Sequence, residues 1–97
     1  MSKTDSHPAI IVTGAAKRVG AAITRALHAA GANVIVHCNR SRKDADALVL
    51  ELNGQRAHSA SVLQGDLLAC NALKGLIDQA ASAFGRLDGL VNNASAF

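Results

Sequence analysis

Tyrosine and tryptophan are absent from this sequence of 97 residues, which has only two phenylalanines and one proline. Charged residues make up 18%, too few for the composition that is typical of intrinsically disordered chains. Hydrophobic residues make up 49%, so the chain can form a core, and that core has to consist of Ala, Val, Ile and Leu. The length suits one small domain and is too short for two.

Cysteine is scarce as well, and Cys38 and Cys70 have neither the spacing of metal ligands nor that of a redox pair. We therefore expect free thiols, no bound metal and a reducing environment. The longest apolar runs are too short to cross a bilayer, and the polar N-terminus lacks the apolar segment of a signal peptide. These absences predict a cytoplasmic protein without a membrane partner.

The formal net charge of +3 is compatible with nucleic-acid binding, but the sequence has no polybasic run and no alternation of aromatic and basic residues. Half of the ten basic residues are concentrated at two places, namely Lys17 and Arg18, and Arg40, Arg42 and Lys43. This clustering favours a small anionic ligand and no nucleic-acid partner. The alternative, a basic loop that binds DNA, predicts an affinity that falls steeply with salt.

Short apolar runs alternate with stretches of helical periodicity along the chain. The apolar runs predict four buried strands, at residues 9–12, 33–37, 57–62 and 87–91. The periodic stretches predict three helices, at residues 19–30, 41–53 and 68–84. Gly31, Gly54 and Gly85 are expected to end these helices, and Ser41 with Asp44 resembles a capping box at the start of the second helix.

This alternation specifies parallel strands joined by right-handed crossovers. We therefore predict the α/β class, specifically the N-terminal portion of a doubly wound, Rossmann-type parallel sheet with about four strands and three helices. Residues 1–8 would form a flexible arm. Residues 9–97 would form the N-terminal part of a single, truncated domain of this type.

The segment from Thr13 to Gly20, between the first strand and the first helix, has the features of a phosphate-binding loop. Gly14 permits a sharp turn, small side chains at positions 15 and 16 let a pyrophosphate approach the backbone, and Gly20 permits close packing of the helix on the sheet. The helix N-terminus supplies unpaired N–H groups and partial positive charge. The alternative is an ordinary βα turn. The residues that we assign to this site are Gly14, Lys17, Arg18, Val19 and Gly20.

The end of the second strand indicates which dinucleotide binds. A site for NADH usually carries an acid there, which bonds the ribose 2′-hydroxyl, whereas this chain has no carboxylate until Asp44. A 2′-phosphate carries a charge of about −1.5 to −2, and Arg18 and Arg40 offer forked donors for it. The sequence therefore predicts NADPH, and a solvated basic loop is the alternative. The residues that we assign here are His37, Asn39, Arg40 and Ser41.

Asp66 follows the third predicted strand, where its carboxylate would accept a hydrogen bond from the adenine amino group. An aspartate at this place would also serve as a helix N-cap, and the two roles are compatible.

Three motifs together resemble the short-chain dehydrogenase/reductase family: Thr13-Gly14-x-x-x-Arg18-x-Gly20, Asp66-Leu67, and Asp88-Gly89-Leu90-Val91-Asn92-Asn93-Ala94. They occur in the family's order and spacing, and the resemblance covers nearly everything from Ala9 to Phe97. The family commonly has glycine where Arg18 stands and again where Ser95 stands. Both variants, together with His37-x-Asn39-Arg40-Ser41 and the ending Asn93-Ala94-Ser95-Ala96-Phe97, are similar to the pteridine reductases. Those enzymes reduce dihydropterins with NADPH, and some of them reduce biopterin or folate.

The resemblance implies roles for single residues. Arg18, His37, Arg40 and Ser41 would hold the phosphate at the adenosine end of the cofactor. The adenine would lie between Asp66 and Leu67, and the nicotinamide side would be lined by Asn93 and Ala94. Ser95 would bond both cofactor phosphate and the pterin, and Phe97 would stack on the pterin ring. The substrate contacts would then be Arg18, Ser95 and Phe97.

The family's catalysis uses a Tyr-x-x-x-Lys pair, and this sequence contains no tyrosine. We therefore assign no catalytic residue within the chain, expect the pair beyond Phe97 in a longer protein, and expect residues 1–97 alone to be inactive. The whole protein would be a homo-oligomer, a tetramer by resemblance, that reduces a pterin or folate. The alternatives are another short-chain reductase, for 3-oxoacyl or carbonyl substrates, and a non-catalytic NADPH-binding module.

Overall fold

The computed structural model describes residues 7–66 and 70–93, in which strands and helices alternate strictly. The strands are β1 (Ala9–Val12), β2 (Asn33–Cys38), β3 (Ala60–Gln64) and β4 (Gly89–Val91). The helices are α1 (Arg18–Ala29), α2 (Arg42–Gln55) and α3 (Cys70–Phe84). The predicted order of elements is confirmed.

The four strands form one parallel sheet in the order β3-β2-β1-β4. Ile11 in the centre of β1 pairs with Ile35 of β2 on one side and with Leu90 of β4 on the other. The chain thus moves outward from β1 to β3 and then crosses back to the far side of β1. This topology confirms the predicted N-terminal portion of a Rossmann-type α/β fold.

Alternate residues of the strands enter two cores on opposite faces of the sheet. Val34 and Val36 pack with the apolar residues of α1 and α2, whereas Ile35 packs with Leu76 and Ala80 of α3. Every residue of β2 is buried, which explains why its sequence is a continuous apolar run rather than an alternating one. Among the residues whose burial the structure describes, the buried hydrophobic ones are aliphatic apart from Cys38, as the composition predicts.

Several predicted boundaries are wrong by a few residues. β3 begins at Ala60 rather than at residue 57, because the chain first makes a turn in which His58 has a φ of 56°. α2 continues through Gly54 to Gln55, whereas Gly31 does follow the end of α1, with a φ of 108°. Gly54 does not have a positive φ, so the helix continues through it.

The predicted capping box at the start of α2 is also wrong. Ser41 is the N-cap residue, but its side chain makes no capping hydrogen bond. β4 begins at Gly89, two residues later than predicted, because Asp88 is engaged with the neighbouring strand: the Ala9 N–H donates to its carboxylate at 2.8 Å. For α3, residues 67–69 lie outside the described part of the chain, so the predicted start at residue 68 does too.

The last two residues of the predicted N-terminal arm are attached to the sheet. The Pro8 carbonyl accepts a hydrogen bond from the Asn33 N–H at 2.8 Å. The His7 ring donates from Nδ1 to the Gly31 carbonyl at 2.7 Å. Residues 1–6 lie outside the described residues. Within the described ranges, no helix has the length and hydropathy to cross a membrane.

A buried polar cluster closes the amino ends of the strands. His28 is only 2% exposed, and its Nε2 lies 2.6 Å from the Ser59 hydroxyl. The guanidinium of Arg56 donates to the carbonyls of His28 and Ala32. Burial lowers the pKa of His28, and the nearby Arg56 charge lowers it further. The folded protein therefore favours the neutral imidazole.

This cluster makes stability dependent on pH. Because the pKa of His28 is lower in the folded than in the unfolded chain, the unfolded chain binds the proton first on acidification. We expect the free energy of unfolding to fall as the pH drops below about 6.5, measured by urea unfolding between neutral and mildly acidic pH. His28→Gln should flatten this dependence, and His58→Asn, at an exposed histidine, should not. Equal slopes in wild type and His28→Gln would contradict the assignment.

Candidate functional site

The described residues that were singled out from the sequence lie at the carboxyl ends of the four strands. The crossover from β1 leads to β2 on one side of it, and the crossover from β3 leads to β4 on the other side. A crevice therefore opens at the end of β1, where ligands bind in open α/β sheets. Thr13 is the first residue beyond β1, and its N–H donates to the Val91 carbonyl at 3.0 Å. The loop that follows β1 therefore begins in fixed register with β4.

Gly14 makes the turn of this loop, and both of its backbone polar groups are bound. Its φ of 59° is the left-handed conformation that glycine adopts without strain. Its N–H donates to Nδ1 of His37 at 3.1 Å, and its carbonyl accepts from Nδ2 of Asn93 at 3.2 Å. The Ala15 N–H also donates to the His37 carbonyl, at 2.9 Å. The loop is thus tied to the end of β2 on one side and to the residue beyond β4 on the other.

His37 serves this loop rather than the ligand. Its side chain is 3% exposed, and because Nδ1 accepts from Gly14, the ring proton resides on Nε2, which donates to the Gly65 carbonyl at 2.9 Å. Both nitrogens are therefore occupied by backbone groups. The expectation that His37 donates to a cofactor phosphate needs correction: its ring bridges the loop after β1 and the end of β3.

The hydrogen bonds of His37, Thr13 and Asn93 hold this loop in place, and we call these three residues the brace. Thr13 and its neighbour in this network, Asn92, were not among the predicted site residues. The Thr13 hydroxyl accepts from the Asn93 N–H at 2.9 Å and donates to Oδ1 of Asn92 at 3.2 Å. Thr13 is only 3% exposed. A threonine directly after a buried apolar strand was the signal in the sequence, since a buried hydroxyl requires partners.

Gly20, in the first turn of α1, is where the helix approaches the loop most closely. A Cβ atom at this position would lie 2.1 Å from the Gly14 carbonyl oxygen and 2.7 Å from Nδ2 of Asn93. The need for glycine is as predicted, but the close neighbours belong to the loop and to Asn93 rather than to the sheet proper. The position therefore admits no side chain while the brace is formed.

A cavity of about 250 Å³ lies between the loop and the start of α2. Its charged and polar lining includes Lys17, Asn39, Arg40 and Ser41, and none of the described residues that line it is acidic. The Arg40 side chain is exposed and has no hydrogen bond or ion pair with the described residues. The Ser41 hydroxyl does not cap α2. A cation and a hydroxyl thus remain free to bind a ligand.

Two other basic residues at or near the cavity, Arg42 and Lys17, are ion-paired. Arg42 pairs with Asp46 at 2.9 Å and donates to Oε1 of Gln64 at 3.2 Å, which directs its guanidinium toward the edge strand β3. The ammonium of Lys17 lies 3.4 Å from the carboxylate of Asp44 at the rim of the cavity.

Burial raises the pKa of the Cys38 thiol, so this cysteine stays protonated beneath the cavity. No group of three potential metal ligands occurs among the residues described.

The N-terminus of α1 presents Arg18 and Val19 to solvent. Arg18 has a φ of 53°, a conformation that L-residues with a Cβ rarely adopt. Its guanidinium has no ion pair or hydrogen bond with the described part of the chain.

Asp66, beyond β3, is exposed at the same edge of the sheet. The other predicted site residues lie outside the described residues, namely Leu67, Ala94, Ser95 and Phe97.

The amino-acid sequence is similar to those of known proteins. The sequence profile of short chain dehydrogenases matches residues 8–96. Pteridine reductase 1 of Leishmania tarentolae is 38% identical over 114 residues, which cover 100% of this chain and 39% of that protein. An uncharacterized oxidoreductase of Methylorubrum extorquens is 40% identical over 97 residues, with 100% of this chain and 38% of that protein covered.

A 3-oxoacyl-[acyl-carrier-protein] reductase of Staphylococcus aureus is 36% identical over 84 residues, which cover 87% of this chain and 34% of that protein. The chain thus spans under two fifths of the length of these relatives. The family profile, however, matches nearly the whole chain. The chain belongs to the short chain dehydrogenase family.

The close approach at Gly20 predicts the effect of adding one methyl group. Gly20→Ala forces the Gly14 carbonyl or the Asn93 amide to move, and we expect it to lower the free energy of unfolding by about 1–3 kcal/mol. Gly54→Ala, in α2 with nothing within 4 Å of the new Cβ, should instead be neutral or stabilise by about 0.5–1 kcal/mol. Urea unfolding of both variants tests this, and an equal effect at the two positions would contradict it.

The left-handed backbone of Arg18 predicts a second, separable effect on stability. Arg18→Gly relieves the strain, whereas Arg18→Ala keeps a Cβ and therefore keeps it. We expect the glycine variant to be more stable than the alanine variant by about 1 kcal/mol in urea unfolding. An alanine variant at least as stable as the glycine variant, as helix propensity alone requires, would show that no strain is stored there.

Proposed function

We propose that this protein is an NADPH-dependent reductase of pterins or folates, and that residues 9–97 are the N-terminal, cofactor-binding part of its one Rossmann domain. The observation that carries the cofactor assignment is the cavity at the end of β2, which has a free arginine and a free hydroxyl and no acidic residue in its described lining. The catalytic Tyr-x-x-x-Lys pair of the family would lie beyond residue 97.

The cavity favours a 2′-phosphate over a 2′-hydroxyl. A 2′-hydroxyl needs an acceptor, and an acidic side chain normally provides it in NADH sites. Here the polar groups of the described lining are mainly donors: the guanidinium of Arg40, the ammonium of Lys17 and the hydroxyl of Ser41. Donors in a partly enclosed site match the oxygens and the charge of about −1.5 to −2 of a phosphate monoester.

The remaining residues fit the rest of the cofactor. The pyrophosphate would lie over Gly14 and the N-terminus of α1, where Gly20 lets backbone N–H groups come close and the helix dipole favours negative charge. Arg18 and Val19 project from the same helix end into solvent, where the ligand would lie. We propose Asp66 and Leu67 beside the adenine, and Asn93 and Ala94 on the nicotinamide side.

When bound, the reduced nicotinamide would supply a hydride to a carbon–nitrogen double bond of the substrate, and a proton would complete the reduction. The part played by this chain is positioning. The brace formed by His37, Thr13 and Asn93 would hold the phosphate loop in one shape, so that the cofactor's adenosine and nicotinamide ends are directed along the carboxyl edge of the sheet.

The pterin or folate substrate is supported by the likeness to pteridine reductase 1 over the whole of this chain. Arg18, Ser95 and Phe97 would contact it. A 3-oxoacyl or other carbonyl substrate is the second candidate, because a 3-oxoacyl reductase matches 87% of the chain at 36% identity. Turnover of NADPH by the whole protein with dihydropterin or with a 3-oxoacyl thioester distinguishes the two, and turnover with neither would favour a non-catalytic NADPH-binding module.

We also propose that the whole protein is a cytoplasmic homo-oligomer with no nucleic-acid or membrane partner. The family resemblance implies a tetramer. The absence of a polybasic run in the sequence supports the exclusion of a nucleic-acid partner. Arg42 and Lys17 also pair with acidic neighbours, and such pairs reduce the positive field that attracts nucleic acid.

Calorimetric titration of the whole protein with NADPH and NADH tests the cofactor assignment. We expect NADPH to bind more tightly, and Arg40→Ala to weaken NADPH by about 10- to 100-fold, as loss of a charged hydrogen bond requires. The affinity for NADH should stay unchanged.

Arg42→Ala is the matched control, because this arginine is two residues away but engaged with Asp46 and Gln64 outside the cavity. We expect it to change neither affinity by more than about twofold. Equal binding of both dinucleotides by wild type, or an equal loss in both variants, would overturn the assignment.

A further inference from the structure

The proposed phosphate cavity has an acidic residue at its rim, although none lines its described interior. Asp44, in the first turn of α2, places a carboxylate oxygen 3.4 Å from the ammonium of Lys17, which belongs to the loop on the opposite side of the cavity. Both side chains are about half exposed, at 61% for Lys17 and 49% for Asp44. Burial therefore does not hold this pair in place.

The carboxylate of Asp44 is not used for capping the helix. Its position three residues after Ser41 is that of a capping-box acid, yet Ser41 makes no side-chain capping bond. Among the described residues, no backbone N–H at the start of α2 donates to the Asp44 carboxylate. The side chain points to Lys17 instead, so its principal interaction in the described part of the chain is with a cavity residue.

We propose that Asp44 is a specificity-determining residue that weakens the site for the 2′-phosphate by competing for Lys17. In the free protein Asp44 holds the ammonium at the rim. When a phosphate monoester enters, its larger negative charge takes the ammonium over, and the broken ion pair reduces the net affinity. This inference rests on the proposed NADPH site and adds a residue that moderates it.

The size of the effect follows from the exposure of the pair. Exposed ion pairs change equilibrium constants by about 1.5- to 5-fold, because water screens both partners. Removing the Asp44 charge should therefore tighten binding of NADPH by about two- to fivefold and leave binding of NADH nearly unchanged, since NADH lacks the 2′-phosphate with which Asp44 competes for Lys17. The gain should shrink at high salt, where the pair is screened.

The experiment is a calorimetric titration of the whole protein with NADPH and NADH, for wild type and Asp44→Asn. Asp46→Asn is the matched control: it removes a carboxylate two residues further along α2, which pairs with Arg42 away from the cavity. We expect tighter NADPH binding in Asp44→Asn alone. In a Lys17→Gln background, Asp44→Asn should gain less than half as much, because the competition acts through the lysine.

The outcomes separate this inference from the proposed function. If the wild-type protein does not bind NADPH more tightly than NADH, both the inference and the proposed function are overturned. If wild type prefers NADPH and Asp44→Asn binds it no more tightly, the proposed function stands and the inference is wrong. A gain shared by NADH or by Asp46→Asn, or one undiminished in the Lys17→Gln background, also overturns it.

Discussion

The peptide groups around Gly14 are the constraint on which the proposed site depends. The N–H of Gly14 is bound by His37 at the end of β2, and its carbonyl by Asn93 beyond β4. Gly20 leaves no room for a Cβ against the same carbonyl. Three separate segments thus define one loop, and the parallel register of the sheet places two of them, at the ends of β2 and β4. A change at any of the three would reach the phosphate-binding backbone.

The polar side chains at the two ends of the sheet differ in how many of them have protein partners. At the amino ends, His28, Ser59 and Arg56 bond one another and the backbone. At the carboxyl ends, the brace leaves Arg40 and the Ser41 hydroxyl without protein partners in the described chain. No buried side-chain nitrogen or oxygen in the described residues lacks a partner. Among the described residues, side chains without a partner are therefore at least partly exposed, and Arg40 and Ser41 provide such groups at the cavity, as a ligand site requires.

The sequence predicts the fold well because the decisive signals are local. The apolar run of β2 and the two glycines of the loop require only neighbouring residues to be interpreted. The role of His37 could not be predicted in this way, because its partners, Gly14 and Gly65, lie far from it along the chain and meet it only through strand pairing. Similarly, Asp44 has the spacing of a capping residue, but a cation from another loop attracts its side chain. The prediction that Gly54 ends α2 was wrong because this glycine lacks the positive φ that Gly31 and Gly85 have after their helices.

The central claim is that the cavity at the end of β2 holds the 2′-phosphate of NADPH while His37 stays bound beneath it. A crystal structure of the whole protein with NADPH measures this directly. We predict phosphate oxygens within hydrogen-bonding distance of the Arg40 guanidinium and the Ser41 hydroxyl, with His37 still between Gly14 and Gly65. An adenosine phosphate that points into solvent, or a His37 ring that has left the brace to bond it, would contradict the claim.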